Sequence, residues 1–218
     1  GFIIRRDSMG STWFLDADVK TVLSTFPQTA FIAESCYWGG YSDSYQPWNT
    51  DPVYKDVYKG WRDFYEQAYE DAIRSRANVL DLREATESRG WTRKALDLVE
   101  AFMVNGGYRL TPVRLSFPEE FASGETVTIS HTWRNSGVGV CPNNNIRWNY
   151  KYKVAFALID KESGAVADIM RDDRAEPSAW LKGNDVTYDF STSTDVPAGN
   201  YLLCTGIVDT SSDETVPA

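Results

Sequence analysis

The stretch TAFIAESCYWGGYSDSYQPW, residues 29–48, carries an apolar run, Phe31-Ile32-Ala33, that ends on Glu34 and opens into a loop holding Tyr37, Trp38, Tyr41, Tyr45 and Trp48. A run this short, bounded by loop residues, has the length of a buried strand. Helical periodicity follows it: Val53, Val57, Trp61, Phe64, Ala68, Ala72 and Ile73 step by three or four, the spacing of one helix face. Strand then helix makes a βα unit, and one such unit stands on each side. FIIRRDS (2–8) precedes an amphipathic stretch with Val19, Val22, Leu23 and Phe26. NVLDLRE (78–84) leads to Ala95, Leu98, Val99 and Phe102, and Gly106-Gly107 is expected to stop that last helix. Residues 1–107 therefore read as three βα units.

From residue 108 the period falls to two. In ETVTISHTW (125–133), Val127, Ile129, His131 and Trp133 share one face, while Thr126, Thr128, Ser130 and Thr132 share the other. Further strands are expected in RLTPVRLSF, YKVAFALID, AVADIM, DVTYDF and NYLLCTGIVD, with turns at DKESG and VPAGN. Six short strands at such spacing predict an immunoglobulin-like antiparallel β-sandwich over 108–218, although the Cys…Trp…Cys spacing of antibody domains is absent. The tail DTSSDETVPA is expected to be a frayed loop or the remnant of one more strand, and the opening GFIIRR reads as a strand whose upstream sequence has been cut.

Composition narrows the function. Net charge is −9, from 22 Lys+Arg against 31 Asp+Glu, with no basic cluster, so nucleic acid and anionic membrane are poor partners. No segment has the roughly 18 apolar residues of a membrane helix, which argues against membrane insertion. Aromatic residues make up 14% of the chain, including eight Trp and twelve Tyr, and rings of this kind suit both core packing and stacking on apolar ligand faces. Cys36, Cys141 and Cys204 are widely spaced without a CxxC, so a zinc site is not expected; Cys141 and Cys204 either pair or stay free and buried.

In βα architectures the functional side chains gather where the strands end and the βα loops converge. Asp7, Glu34, Arg83 and Glu84 all stand at or just past such ends and are expected to face one cleft. The long loop 35–52 adds rings to it, and a loop of that length is usually functional. Sugars present apolar C–H faces rimmed by hydroxyls, so a site for them combines aromatic platforms with carboxylates and Arg. Glu34 and Asp7 are the candidate catalytic carboxylates; Arg83, Glu84, Tyr37, Trp38, Tyr41 and Trp48 are the candidate substrate contacts. No metal or cofactor is expected. The competing structural readings are a loop-entry carboxylate for Glu34, an Arg pair beside a helix cap for Asp7, and a lid of core rings for the loop.

The segment FIAESCYWGG is similar to the end of the seventh barrel strand in glycosidases of the (β/α)₈ superfamily, where the nucleophile Glu sits, and Glu34 holds that place. The segments RRDSMG and AESC, then NGGYRLTPVRLSFPEEFASGETVTISHTWRNSGVG and VPAGNYLLCTGIVD, resemble the bacterial family called domain of unknown function 4832, in which a glycosidase-type barrel precedes a β-sandwich. The resemblance implies a partial (β/α) TIM-type barrel over 1–107, a carbohydrate partner, and an extracellular, periplasmic or cell-surface location. It also implies that the acid/base carboxylate belongs to a fourth strand with no counterpart here, so the chain alone should not hydrolyse glycosides. A full barrel takes roughly 200 residues or more. Leaving about ten barrel-lining aliphatics wet would forgo about 1.5–3 kcal/mol each, more than a domain's usual net stability of about 5–15 kcal/mol. A missing N-terminal barrel half or a second copy of the chain is therefore expected to close it. The alternative is a non-catalytic carbohydrate-binding or surface-adhesion module.

Other candidates carry blander expectations. His131 should be a buried or rim histidine with one hydrogen bond, not part of a Ser/His/Asp triad. RDDRAE (171–176) and DTSSDE (209–214) lack EF-hand spacing and read as solvated loops. Asn143 to Asn145 with Trp148, Tyr150 and Tyr152 read as a loop over core rings, with a sugar-binding face as the alternative.

Overall fold

The structure is a computed structural model and describes residues 2–54 and 57–211. It divides into two compact units, the first up to residue 109 with 136–141 added, the second from 110 to 135 and from 142 onward. The chain is mixed α/β, with four α-helices and three sheets among the described residues. The tail expectation, and the last part of DTSSDE, lie outside the described residues.

The first unit runs β1 (Ile4–Met9), α1 (Asp16–Leu23), β2 (Phe31–Ser35), α2 (Trp61–Arg74), β3 (Val79–Asp81), α3 (Ala85–Lys94) and α4 (Leu96–Asn105). The strands pair in parallel in the order β1-β2-β3 and make an open sheet. Phe31 and Ala33 point into a core shared with Met9, Phe14, Val19, Val22, Phe64, Tyr65, Ala68 and Ala72. The opposite parity carries the register neighbours Arg5, Ile32 and Val79, and then Glu34 and Asp81. That face is not the aliphatic lining expected from the sequence. Charged side chains hold its C-terminal end, so leaving it open forgoes far less apolar burial than about ten wet aliphatics would.

Two expectations about the helices change. Val53 and Val57 are 61% and 50% exposed and precede α2, which starts at Trp61 behind Gly60, so their spacing is fortuitous. The last helical stretch breaks at Ala95, whose φ of −152° and ψ of 36° lie outside the helical region, giving α3 and α4 in place of one helix. The segment 136–141, which follows a strand of the second unit, belongs to the first: Val138 N donates to Asn105 O at 2.8 Å and Asn78 Nδ2 donates to Val140 O at 2.6 Å. Glycine is required there, because a side chain on Gly137 would collide with the carbonyl of Gly107.

In the second unit all six expected strands form: β4 (Leu110–Ser116), β5 (Val127–Asn135), β6 (Tyr152–Asp160), β7 (Val166–Asp172), β8 (Val186–Thr192) and β9 (Tyr201–Asp209). They make two antiparallel three-stranded sheets, β4-β5-β8 and β7-β6-β9. Ile129 and Trp133 of one and Val154, Phe156, Leu158 and Met170 of the other form a single buried cluster with Trp180. His131 is 1% exposed. Trp133 Nε1 donates to its Nδ1 at 2.9 Å, so the ring proton sits on Nε2, which donates to Asp172 Oδ2 at 3.1 Å. Asp172 is thus a buried acceptor and not a solvated loop carboxylate, a correction to the reading of RDDRAE. Asn143 is fully buried, its Oδ1 accepting from Tyr152 N at 3.0 Å and its Nδ2 donating to Tyr152 O at 2.9 Å. None of the three cysteines is in a disulfide, so Cys141 and Cys204 are not bridged; Cys36 and Cys141 are buried and Cys204 is exposed.

Candidate functional site

The C-terminal ends of β1, β2 and β3 bring Glu34 and Arg83 together. Glu34 is 4% exposed, and its two carboxylate oxygens form ion pairs with Arg5 and Arg83. Arg5 is the cross-strand neighbour of Ile32, two residues before Glu34 on the same face, which places a guanidinium over the carboxylate. Arg83 reaches it from the turn after β3. Its backbone takes a left-handed φ of 64°, its N–H donates to Asp81 Oδ1 at 2.8 Å, and its guanidinium lies 5.2 Å from the centre of the Tyr37 ring. The two guanidiniums stand against the two oxygens of one buried carboxylate, which fixes its orientation.

The other candidates are dispersed. Asp7 points to the exposed side, pairing with Arg6 Nη1 at 3.0 Å and accepting from Ser8 Oγ at 3.2 Å, so the Arg-pair reading describes its contacts. Glu84 caps α3: it accepts from Thr86 N at 3.1 Å and from the Thr86 hydroxyl, which together hold its carboxyl below the usual range. Asp81, which the sequence reading passed over, is the residue directly opposite Glu34 on β3. The signal was the register of the NVLDLRE strand against FIAES, which only pairing reveals.

The rings also divide. Trp48 is fully buried among Tyr58, Trp61 and Phe64, so it is a core ring and not a ligand platform; the 3₁₀ turn Pro47–Thr50 folds it inward. Tyr41 packs at 5.3 Å on Trp61 and donates its hydroxyl to Asp43, itself paired with Arg93 at 3.1 Å and Lys94 at 3.2 Å. Tyr37 is 49% exposed above Arg83. Trp38 is half-buried, edge-on to Tyr54 at 4.7 Å, Trp48 at 6.2 Å and Phe64 at 6.4 Å, and it stacks on the ring of Trp13 at 6.0 Å and 22°. Trp13, 56% exposed in the loop after β1, is the site ring the sequence reading missed. Its neighbours hold the loop firmly: Thr12 N donates to Tyr54 OH at 2.8 Å and Arg6 Nη2 donates to Trp13 O at 3.2 Å.

Beneath these rings lies a protonated, apolar zone. Burial pushes the Cys36 thiol up to about 11 despite a hydrogen bond from Ser11, and burial also raises Tyr58 and Tyr65. Among the described residues no group of three or more His, Cys, Asp or Glu is disposed to hold a metal ion. Among the described residues no helix is long and apolar enough to cross a membrane. No protein-family model matches the chain, and neither does any curated protein.

Proposed function

We propose that this chain is a carbohydrate-binding, non-hydrolysing part of a glycosidase-like protein, related to the family named domain of unknown function 4832. In this reading the first unit is the closing part of a (β/α) barrel and the second an immunoglobulin-like sandwich. Three parallel strands joined by helices, and two antiparallel sheets sharing one core, support that architecture. The observation that carries the binding reading is Trp13, an exposed ring backed by Trp38 and Tyr54 at 6.0 and 6.1 Å. A ring already immobilised by its neighbours loses little freedom when a sugar face stacks on it. Tyr37 supplies a second face, and Arg5, Arg83 and Asp81 supply edge groups for hydroxyls.

Hydrolysis by this chain is disfavoured because Glu34 is buried and paired with two guanidiniums, which draw on its charge and stand between it and a sugar carbon. One observation favours the hydrolytic reading, the pairing of Glu34 with Asp81 on adjacent strands. Neighbouring strands lie about 4.8 Å apart, close to the roughly 5 Å separation of retaining carboxylates. Calorimetric titration with oligosaccharides, alongside a release assay with aryl glycosides, separates the two. Trp13→Ala is expected to weaken oligosaccharide binding about tenfold, the loss of one aromatic stacking contact of about 1.4 kcal/mol. Unchanged binding in that variant defeats the binding reading. Aryl glycoside release that disappears in both Glu34→Gln and Asp81→Asn would establish hydrolysis instead.

A further inference from the structure

Three carboxyl groups are buried in the described part of the first unit. Glu34 faces two arginines. Asp71 accepts from Gly10 N at 2.8 Å and Arg74 Nε at 2.9 Å. Glu87 has no such partner: it is fully buried on the third residue of α3, no described cation pairs with it, and neither oxygen closes a hydrogen bond of regular geometry.

What faces Glu87 is the ring-bearing loop. The backbone N–H groups of Trp38 and Gly40 are turned toward its carboxyl. Gly39 and Gly40 have φ of 88° and 92°, left-handed values that a glycine adopts without strain. A side chain on Gly40 would stand 3.4 Å from Thr86 Oγ1, so the loop lies directly against the first turn of α3. The remaining titratable groups around Glu87 are Glu84, which repels its charge, Arg83, which attracts it but is already engaged by Glu34, and Tyr65 and Cys36, both neutral in their buried settings. Burial outweighs the two N–H groups and Arg83, and holds the carboxyl above its usual range.

We propose that Glu87 is a proton-controlled latch for the loop segment 37–41: as a neutral acid it lets the segment close on α3, and as a carboxylate it moves to water and lifts the segment. Raising the pH would then unseat Trp38, the ring that backs Trp13, and with it the exposed aromatic surface. The latch is independent of what that surface binds, and its test uses no ligand, so it can fail while the glycan reading stands.

The test is amide hydrogen exchange at Trp38 and Gly40 in the full chain between pH 5 and 8, corrected for the intrinsic base catalysis of exchange. Wild type is expected to show loop opening that grows about tenfold per pH unit once Glu87 ionises, while Glu87→Gln stays closed across the range. Matching profiles in the two proteins, or a flat wild-type profile, would overturn the proposal. Infrared spectroscopy of the wild type supplies a readout that needs no variant. The carbonyl stretch of a buried protonated carboxyl should vanish in step with the loss of amide protection, and amides that stay protected after it has vanished would equally defeat the latch.

Discussion

In the first unit Trp38, Trp48 and Trp91 bury their indole N–H groups, and Tyr65, Ser35 and Ser75 their hydroxyls, without a protein partner. In the second, Trp133 Nε1 donates to His131, Trp180 Nε1 donates to Tyr188 OH at 2.8 Å, and Asn143 spends both ends of its amide on the backbone of Tyr152. Buried polar groups are normally satisfied, so a cluster that is not marks a place where packing answers to something besides stability. Trp38 and Trp48 belong to the loop that follows β2 and contact each other, and Tyr65 and Trp91 contact each other on α2 and α3. The difference is what supports placing the proposed site in the first unit.

The largest test of that contrast is His131→Ala. It takes the partner from Asp172 Oδ2, whose other oxygen keeps Arg174 N, and from the Trp133 indole in a site 1% exposed, and should cost the second unit about 3–5 kcal/mol in urea unfolding. A loss below about 1 kcal/mol would mean that the network is ornamental and the contrast empty. Next come two substitutions of opposite expectation. Trp133→Phe removes a donor that is used and should cost about 1–3 kcal/mol, whereas Tyr65→Phe removes an unpartnered hydroxyl and should be neutral or stabilising by up to about 1 kcal/mol. Equal costs would erase the distinction between the units.

The two units should also respond to pH in opposite directions. Burial, opposed by Asp172, holds His131 below its ordinary 6.5, so the unfolded chain takes up the proton first. Its contribution is present above about pH 6.5 and lost as pH falls toward the lower folded value. Burial holds Glu87 above its ordinary 4.5, so the unfolded chain releases the proton first, and the first unit loses stability as pH rises from 4.5 through the higher folded value. Unfolding midpoints of wild type, His131→Ala and Glu87→Gln across pH 4–8 isolate each contribution by difference. A wild-type minus Glu87→Gln difference that does not change with pH would remove Glu87 from the account. The smallest effect is expected on the outer face of β5 and β8, where Thr132 Oγ1 and Thr187 Oγ1 stand 2.9 Å apart in solvent. Thr132→Ala should cost about 0.2–1 kcal/mol, since this pair is exposed and water replaces the lost partner.

Much of this could be read before any coordinates. Period-two alternation located all six strands of the second unit, and the inward parity of His131 foretold its burial. Strand-end position placed Glu34 and Arg83 in one cleft, but not their ion pair. Trp48 was misplaced because a Trp in a loop has the same letter whether it caps a core or faces a ligand. Glu87 was overlooked because a Glu on the third residue of a helix is the usual sign of a capping interaction. The available clue was that Glu87, Trp91 and Ala95 recur every four residues, and all three are buried.

Local pattern thus specified the βα and hairpin units, because backbone period and the side of an element that must leave water are written in neighbouring residues. It could not specify which strands became neighbours, which carboxylates met a guanidinium, or that residues 136–141 would join the first unit. Those outcomes depend on side chains far apart in the chain competing for the same enclosed space, and on whether charge there finds a counter-charge or a proton.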